Sequence, residues 1–111
     1  MFKSKEEFLE EEIQEVLGTN EEVIYSFFFA INRMIITNKK LIFIDAKIAK
    51  SKNYIMIPFN KITSYSLLKP SGLSIKTKLK IFTGGDNPSL ELESIFDDGM
   101  KEFCKVLADK I

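Results

Sequence analysis

The stretch Met34-Ile35-Ile36-Thr37-Asn38-Lys39-Lys40-Leu41-Ile42-Phe43-Ile44-Asp45 decides how this chain folds. Two runs of β-branched and aromatic residues, 33–37 and 41–45, flank the polar link Thr37-Asn38-Lys39-Lys40. Branched and aromatic side chains pack well on a pleated surface, so both runs favour strands. The link reads as a tight hairpin turn, with Asn38 taking the positive φ that asparagine tolerates. Successive side chains of a strand point to opposite sides, and a sheet with one wet face alternates apolar with polar residues. This hairpin does not alternate. Met34, Ile36, Leu41 and Phe43 line one face, and Ile35, Ile42 and Ile44 line the other.

Upstream, Val23–Ala30 behaves the same way, with Val23, Tyr25, Phe27 and Phe29 opposed by Ile24, Phe28 and Ala30. Three strands that are apolar on both faces must be covered twice. One cover is an N-terminal helix expected over residues 4–17. Ser4 and Glu7 form a capping box, and Leu9, Ile13 and Val16 follow at helical spacing. Gly18 stands where a left-handed helix terminus is wanted. A helix about 10 Å across spans roughly two strands set ~4.8 Å apart, which is less than the sheet needs. The remainder predicts a second copy of the chain, because apolar patches of that size are uncommon on monomers. The candidate oligomer interface is Ile24, Phe28, Ile35, Ile42 and Ile44.

Downstream, residues 45–53 (DAKIAKSKN) read as a basic loop, and Tyr54–Phe59 as a strand whose end Pro58 bends. Ile62–Lys69 is a further strand, closed by the Pro70-Ser71-Gly72 turn. Leu73–Thr83 alternates cleanly, Gly84–Pro88 is a hairpin loop, and Leu90 and Leu92 alternate with Glu91 and Glu93. Phe96, Met100, Phe103, Leu107 and Ile111 form one face of a C-terminal helix. Asp97 and Asp98 lie at its positive end. The expected class is mainly β: seven short antiparallel strands in a sandwich or open barrel, plugged by the last helix.

Charge is segregated along the chain. Over 111 residues the 16 Lys+Arg and 16 Asp+Glu cancel. Residues 1–22 nevertheless carry two Lys against eight Glu, net −6. Residues 23–87 carry eleven Lys/Arg against Asp45 and Asp86, net +9, and residues 88–111 carry three Lys against six acids, net −3. Opposed regions of this kind can attract one another within one chain or between copies, and head-to-tail contacts between copies can close into rings. In the basic middle, Lys47, Lys50 and Lys52 with Lys76, Lys78 and Lys80 form a candidate surface for anionic ligands or a membrane. The competing reading is a solvated strand face whose edge lysines oppose aggregation.

The residue set excludes several chemistries. With no His and the single Cys104, there is no Cys/His zinc site, no His-containing catalytic triad and no disulfide framework. Glu10-Glu11-Glu12 fans its carboxylates apart on a helix, and Asp97-Asp98-Gly99 lacks the spaced oxygens of a calcium loop. Gly84-Gly85 is not followed by the Lys-Ser/Thr of a phosphate loop. Arg33 is the one arginine, which argues against nucleic acid as a partner. No catalytic, cofactor-binding or metal-binding constellation emerges, and the reading is a non-enzyme. The opening residues turn acidic by Glu6 without an apolar core region, and no apolar run approaches membrane-span length, so the cytoplasm is the expected compartment.

Residues 34–45, with Thr37-Asn38-Lys39-Lys40-Leu41 at their centre, resemble the "TNKRL" hairpin of bacterial pleckstrin-homology (PH)-like domains. Ile57-Pro58-Phe59-Asn60-Lys61-Ile62-Thr63 is similar to that family's "IPY-x-x-I" segment. Glu21-Glu22-Val23-Ile24-Tyr25 matches its opening, and Leu90-Glu91-Leu92 before an amphipathic helix matches its close. The resemblance spans about residues 16–110. It implies two near-orthogonal antiparallel sheets of seven strands capped by the last helix. It also implies a stand-alone non-enzymatic module whose members tend to assemble as homo-oligomers, with poorly defined ligands; together with the two-sided apolar strands, the expectation is a homo-oligomeric scaffold that binds proteins or peptides. The chain then divides into an N-terminal amphipathic helix over 1–18 and a PH-like domain over 19–111. Lys40 replaces the family's Arg, Phe59 its Tyr, and the capping-helix Trp of eukaryotic relatives is missing. The link between the first two strands is only Ile31-Asn32-Arg33, which leaves no room for the basic motif that grips inositol phosphates.

Overall fold

The computed structural model describes residues 13–29, 32–48, 51–69, 72, 76–94 and 99–111. The strands are β1 (Val23–Phe29), β2 (Asn32–Thr37), β3 (Lys40–Ile48), β4 (Ser51–Pro58), β5 (Ser64–Leu68), β6 (Thr77–Phe82) and β7 (Leu90–Ser94). A 3-10 turn at Phe59–Lys61 joins β4 to β5, and helix α1 (Met100–Ala108) closes the chain. β1–β4 form one antiparallel sheet in sequential order, and β5–β7 form a second. Apolar residues from the facing sides of both sheets meet in one core with α1. Each fully buried aliphatic or aromatic side chain there contributes about 1.5–3 kcal/mol.

The double-sided hairpin is realised as its sequence implies. Met34, Ile36, Leu41 and Phe43 enter the main core. Ile35, Ile42 and Ile44 pack on the opposite side with Ile13, against which Val16, Leu17 and Tyr54 lean. The expected helix over 4–17 falls mostly outside the described residues; Ile13 and Gln14 are helical and Glu15–Val16 form a turn.

Two turn assignments are corrected. Gly18 does not take the left-handed conformation; Asn20 does, at φ 61°. The Glu21 N–H closes this turn on the Gly18 carbonyl at 3.2 Å. Nor does Asn38 take positive φ. The Thr37 hydroxyl oxygen accepts the N–H groups of Lys39 and Lys40, each at 3.0 Å, and so makes the turn without left-handed backbone.

Strand limits shift as well. The expected basic loop over 45–53 is largely strand, since β3 runs to Ile48 and β4 starts at Ser51, with Ile48 opposite Ser51. Hairpin pairing extends both strands past the point where apolar alternation stops. The long strand expected from Leu73 is described from Thr77, and Leu73–Ile75 lie outside the described residues. Phe96, Asp97 and Asp98 lie outside them too, and α1 begins after Gly99, whose φ is 93°. A Cβ on Gly99 would stand 2.5 Å from the Tyr25 hydroxyl and 3.1 Å from Phe27 Cβ, so α1 sits directly on β1. The Gly99 carbonyl accepts the Tyr25 O–H at 3.0 Å, and Phe103 meets Phe27 edge-to-face at 5.7 Å.

Candidate interaction surfaces

The outer face of β2–β3 is closed from within the chain. Ile35 and Ile42 are fully buried and Ile44 is 4% exposed, beneath residues 13–17. These three expected interface residues are therefore intrachain core, because the segment that covers them is the chain's own. Of the other two, Ile24 is 45% exposed. Phe28 is half-buried, with the Arg33 guanidinium 5.0 Å from its ring centroid.

β1 departs from simple alternation. The pairing with β2 slips between Val23 and Tyr25, which face Thr37 and Ile36 respectively, so Ile24 sits on a bulge. Val23 and Ile24 consequently both face solvent, at 40% and 45%. At the opposite edge of the same sheet, Met56 on β4 is 44% exposed and stands beside buried Ile42.

A polar clamp fastens the covering segment. The buried Glu21 carboxylate accepts the Gly18 N–H at 2.7 Å, the Lys40 ammonium at 2.7 Å and the Thr37 hydroxyl at 2.5 Å. Burial alone would push this carboxyl up, but the hydrogen bonds from Gly18, Lys40 and Thr37 outweigh it and hold the pKa at about 2. Asn38 adds a second tie: its Oδ1 accepts the Glu22 N–H at 2.8 Å, and its Nδ2 donates to the Asn20 carbonyl at 3.0 Å. Lys39 Nζ donates to the Thr19 carbonyl at 2.7 Å. The Thr37–Lys40 turn is thus an anchor for the N-terminal segment as well as a hairpin connection.

The candidate lysines divide between the sheets. Lys50 lies outside the described residues, and Lys47 and Lys52 occupy β3 and β4 positions. Lys76, just before β6, and Lys78 and Lys80 within it face a row of glutamates on β7. Lys76 Nζ is 2.6 Å from Glu93, and Lys78 Nζ is 3.4 Å from Glu91 and 3.5 Å from Glu93. Lys80 stands opposite Glu91 in the ladder. The Glu91 hydrogen bond and the nearby Glu93 charge push the Lys78 ammonium up, while Lys76 holds Glu93 down.

A cleft of about 370 Å³ is lined by residues of both sheets. One wall is the strand segment Ser89–Glu93, and the other is built by Asn32, Phe43, Asp45 and Ile55 from β2, β3 and β4. Sequence reasoning missed this cleft. Phe43, Leu90 and Leu92 are core positions, as their pattern implies, and only the packing of one sheet on the other makes them lining residues as well.

Two open antiparallel sheets in the order β1–β4 and β5–β7, with a C-terminal helix against β1, β2 and β5, lead to a comparison with known folds. The family model for the bacterial PH domain matches residues 1–111. The chain belongs to the bacterial PH domain family. Among solved structures, this PH domain is similar to a pleckstrin-homology domain from Shewanella amazonensis, at 22% identity and a TM-score of 0.80, covering 99% of this chain and 90% of that one. It is also similar to a DUF1696 family protein with a pleckstrin-homology domain from Shewanella loihica, at 22% identity and a TM-score of 0.77, covering 97% and 98%. No curated protein matches the chain. PH-like domains are in general non-catalytic binding modules. Among the described residues no helix is long and apolar enough to cross a membrane.

Proposed function

We propose that this PH domain is a non-enzymatic scaffold of the cytoplasm that assembles with copies of itself and binds other proteins. The observation that carries this reading is the position of its exposed apolar residues: Val23 and Ile24 on β1 and Met56 on β4 lie on the two outer strands of one sheet among the described residues. An edge strand presents backbone groups ready to pair with another chain, and apolar side chains there add affinity. The two edges are not equivalent, so contact between them is head-to-tail, and a suitable rotation closes a ring. With Ile35, Ile42 and Ile44 buried within the chain, Ile24 and the half-buried Phe28 are left from the sequence-based set at the surface.

Light scattering after gel filtration at micromolar concentration tests the proposal. The expected result is a multimer that Ile24→Asp and Met56→Asp each reduce in size without loss of fold. A monomeric wild-type chain overturns it. The alternative, an anionic-ligand or membrane surface on the lysines, is disfavoured by the ion pairs that engage Lys76 and Lys78. Salt-sensitive co-sedimentation of the wild-type protein with anionic vesicles would restore that alternative.

A further inference from the structure

We infer that the cleft beside β7 receives an extended, basic segment of another protein, which adds to the three-stranded sheet as a fourth strand. The inference rests on the protein-binding part of the reading above and not on self-assembly. β7 is the edge of its sheet, so alternate backbone N–H and C=O groups along it point away from β6. The cleft wall Ser89–Glu93 is this edge, a run of about 17 Å in extended chain.

Side-chain alternation specifies the guest. Residues of an added strand that point inward stand beside Phe43, Leu90 and Leu92, which are only 3–5% exposed, and half-buried Ile55, so the cleft has room for small groups there. Those that point outward become cross-strand neighbours of Glu91 and Glu93. On its other side β7 already faces lysines: Lys80 stands opposite Glu91 and Lys78 opposite Glu93. Two glutamates flanked by lysines on one side call for lysine or arginine on the other. Glu91 has one lysine partner, Lys78, and Glu93 has two, Lys76 and Lys78; a carboxylate has about four acceptor positions, so an added cation is a second on Glu91 and a third on Glu93. The guest therefore reads basic–aliphatic–basic–aliphatic, and strand addition gives affinity while alternate pockets give specificity.

The probe is acetyl-Lys-Val-Lys-Val-Lys-amide, titrated into the isotope-labelled full chain and followed by amide chemical shifts and hydrogen exchange. Shifts are expected at Leu90–Glu93, Phe43 and Ile55, with slowed exchange along β7. The Glu-Val-Glu-Val-Glu counterpart should bind at least roughly tenfold more weakly, and Glu91→Gln with Glu93→Gln should weaken the basic peptide by roughly five- to tenfold. Methylating alternate backbone nitrogens of the peptide should abolish binding, which separates strand pairing from charge attraction alone. Equal binding of both peptides, shifts confined to β1 or β4, or no shift at millimolar peptide overturns the inference. So does a β7 edge already protected in the free protein and released on dilution, which assigns the cleft to a second copy. Light scattering on the same samples reports self-assembly separately, so a failure here is distinguishable from a failure of the oligomer.

Discussion

The Lys40 ammonium lies 2.7 Å from the Glu21 carboxylate, joining the β2–β3 turn to the segment that covers the outer face of its own sheet. Glu21 is buried, and the same carboxylate is bound by Gly18 and Thr37. A buried carboxylate with three donors is stable only while all three remain in place.

Acid should therefore release this contact in a defined window. The Glu21 pKa is lowered from 4.5 to about 2 in the folded chain, so its contribution is complete above pH 4.5 and is lost as pH falls toward 2. The shift corresponds to roughly 3 kcal/mol. Urea unfolding of wild type and Glu21→Gln across that range should show a gap at neutral pH that closes near pH 2. A gap that persists unchanged at pH 2 refutes the linkage.

Asn38→Ala removes both side-chain ties to Glu22 and Asn20 while leaving the Thr37 turn hydrogen bonds intact. The expected loss is about 1–2 kcal/mol, seen as a fall in Tm of roughly 4–8 °C per kcal/mol. Asn38→Asp should recover part of it, because a carboxylate still accepts the Glu22 N–H.

Gly99→Ala sets a methyl group against the Tyr25 hydroxyl at a backbone φ of 93°. A loss of about 2 kcal/mol or more is expected from strain and overlap together. Tyr25→Phe removes the overlapping oxygen but also the hydrogen bond to the Gly99 carbonyl. In the double variant the two losses should be less than additive, a coupling that a double-mutant cycle measures. Full additivity would show that α1 shifts away from β1 rather than colliding with Tyr25.

Ile42→Ala should cost roughly 2–5 kcal/mol by opening a cavity between the sheet and Ile13, whereas Ile24→Ser should stay within about 0.5 kcal/mol. Chemical denaturation of the two variants tests this division between core and surface. Measured at a concentration where the chain is monomeric, comparable losses at both positions would place Ile24 in the core.

Much of this was legible before any coordinates. The two-sided apolar pattern of 34–37 and 41–44 announced two buried faces, and both exist. What covers the outer one was open, because periodicity shows that a face is buried without showing by whom. Glu21 was read as one more acid in a run of eight glutamates; its partner Lys40 is 19 residues away, beyond the reach of any local pattern. The slip at Ile24 was hidden for a related reason, since a bulge preserves the apolar composition while breaking the alternation. The ion pairs of Lys76 and Lys78 depended on the β6–β7 register, and the cleft on how the two sheets meet.

The clamp at the Thr37–Lys40 turn also has a mechanical consequence. Tension applied to the chain upstream of Ile13 is stopped by hydrogen bonds at Thr19, Asn20, Glu21 and Glu22, all anchored on that one turn. The Ile13–Leu17 segment lies on the pulling side of this anchor, so it peels from Ile35, Ile42 and Ile44 while the clamp still holds. A load carried from the N-terminus thus bares the outer face before it reaches β1, making the first rupture a detachment of the cover and the second the loss of the sheet.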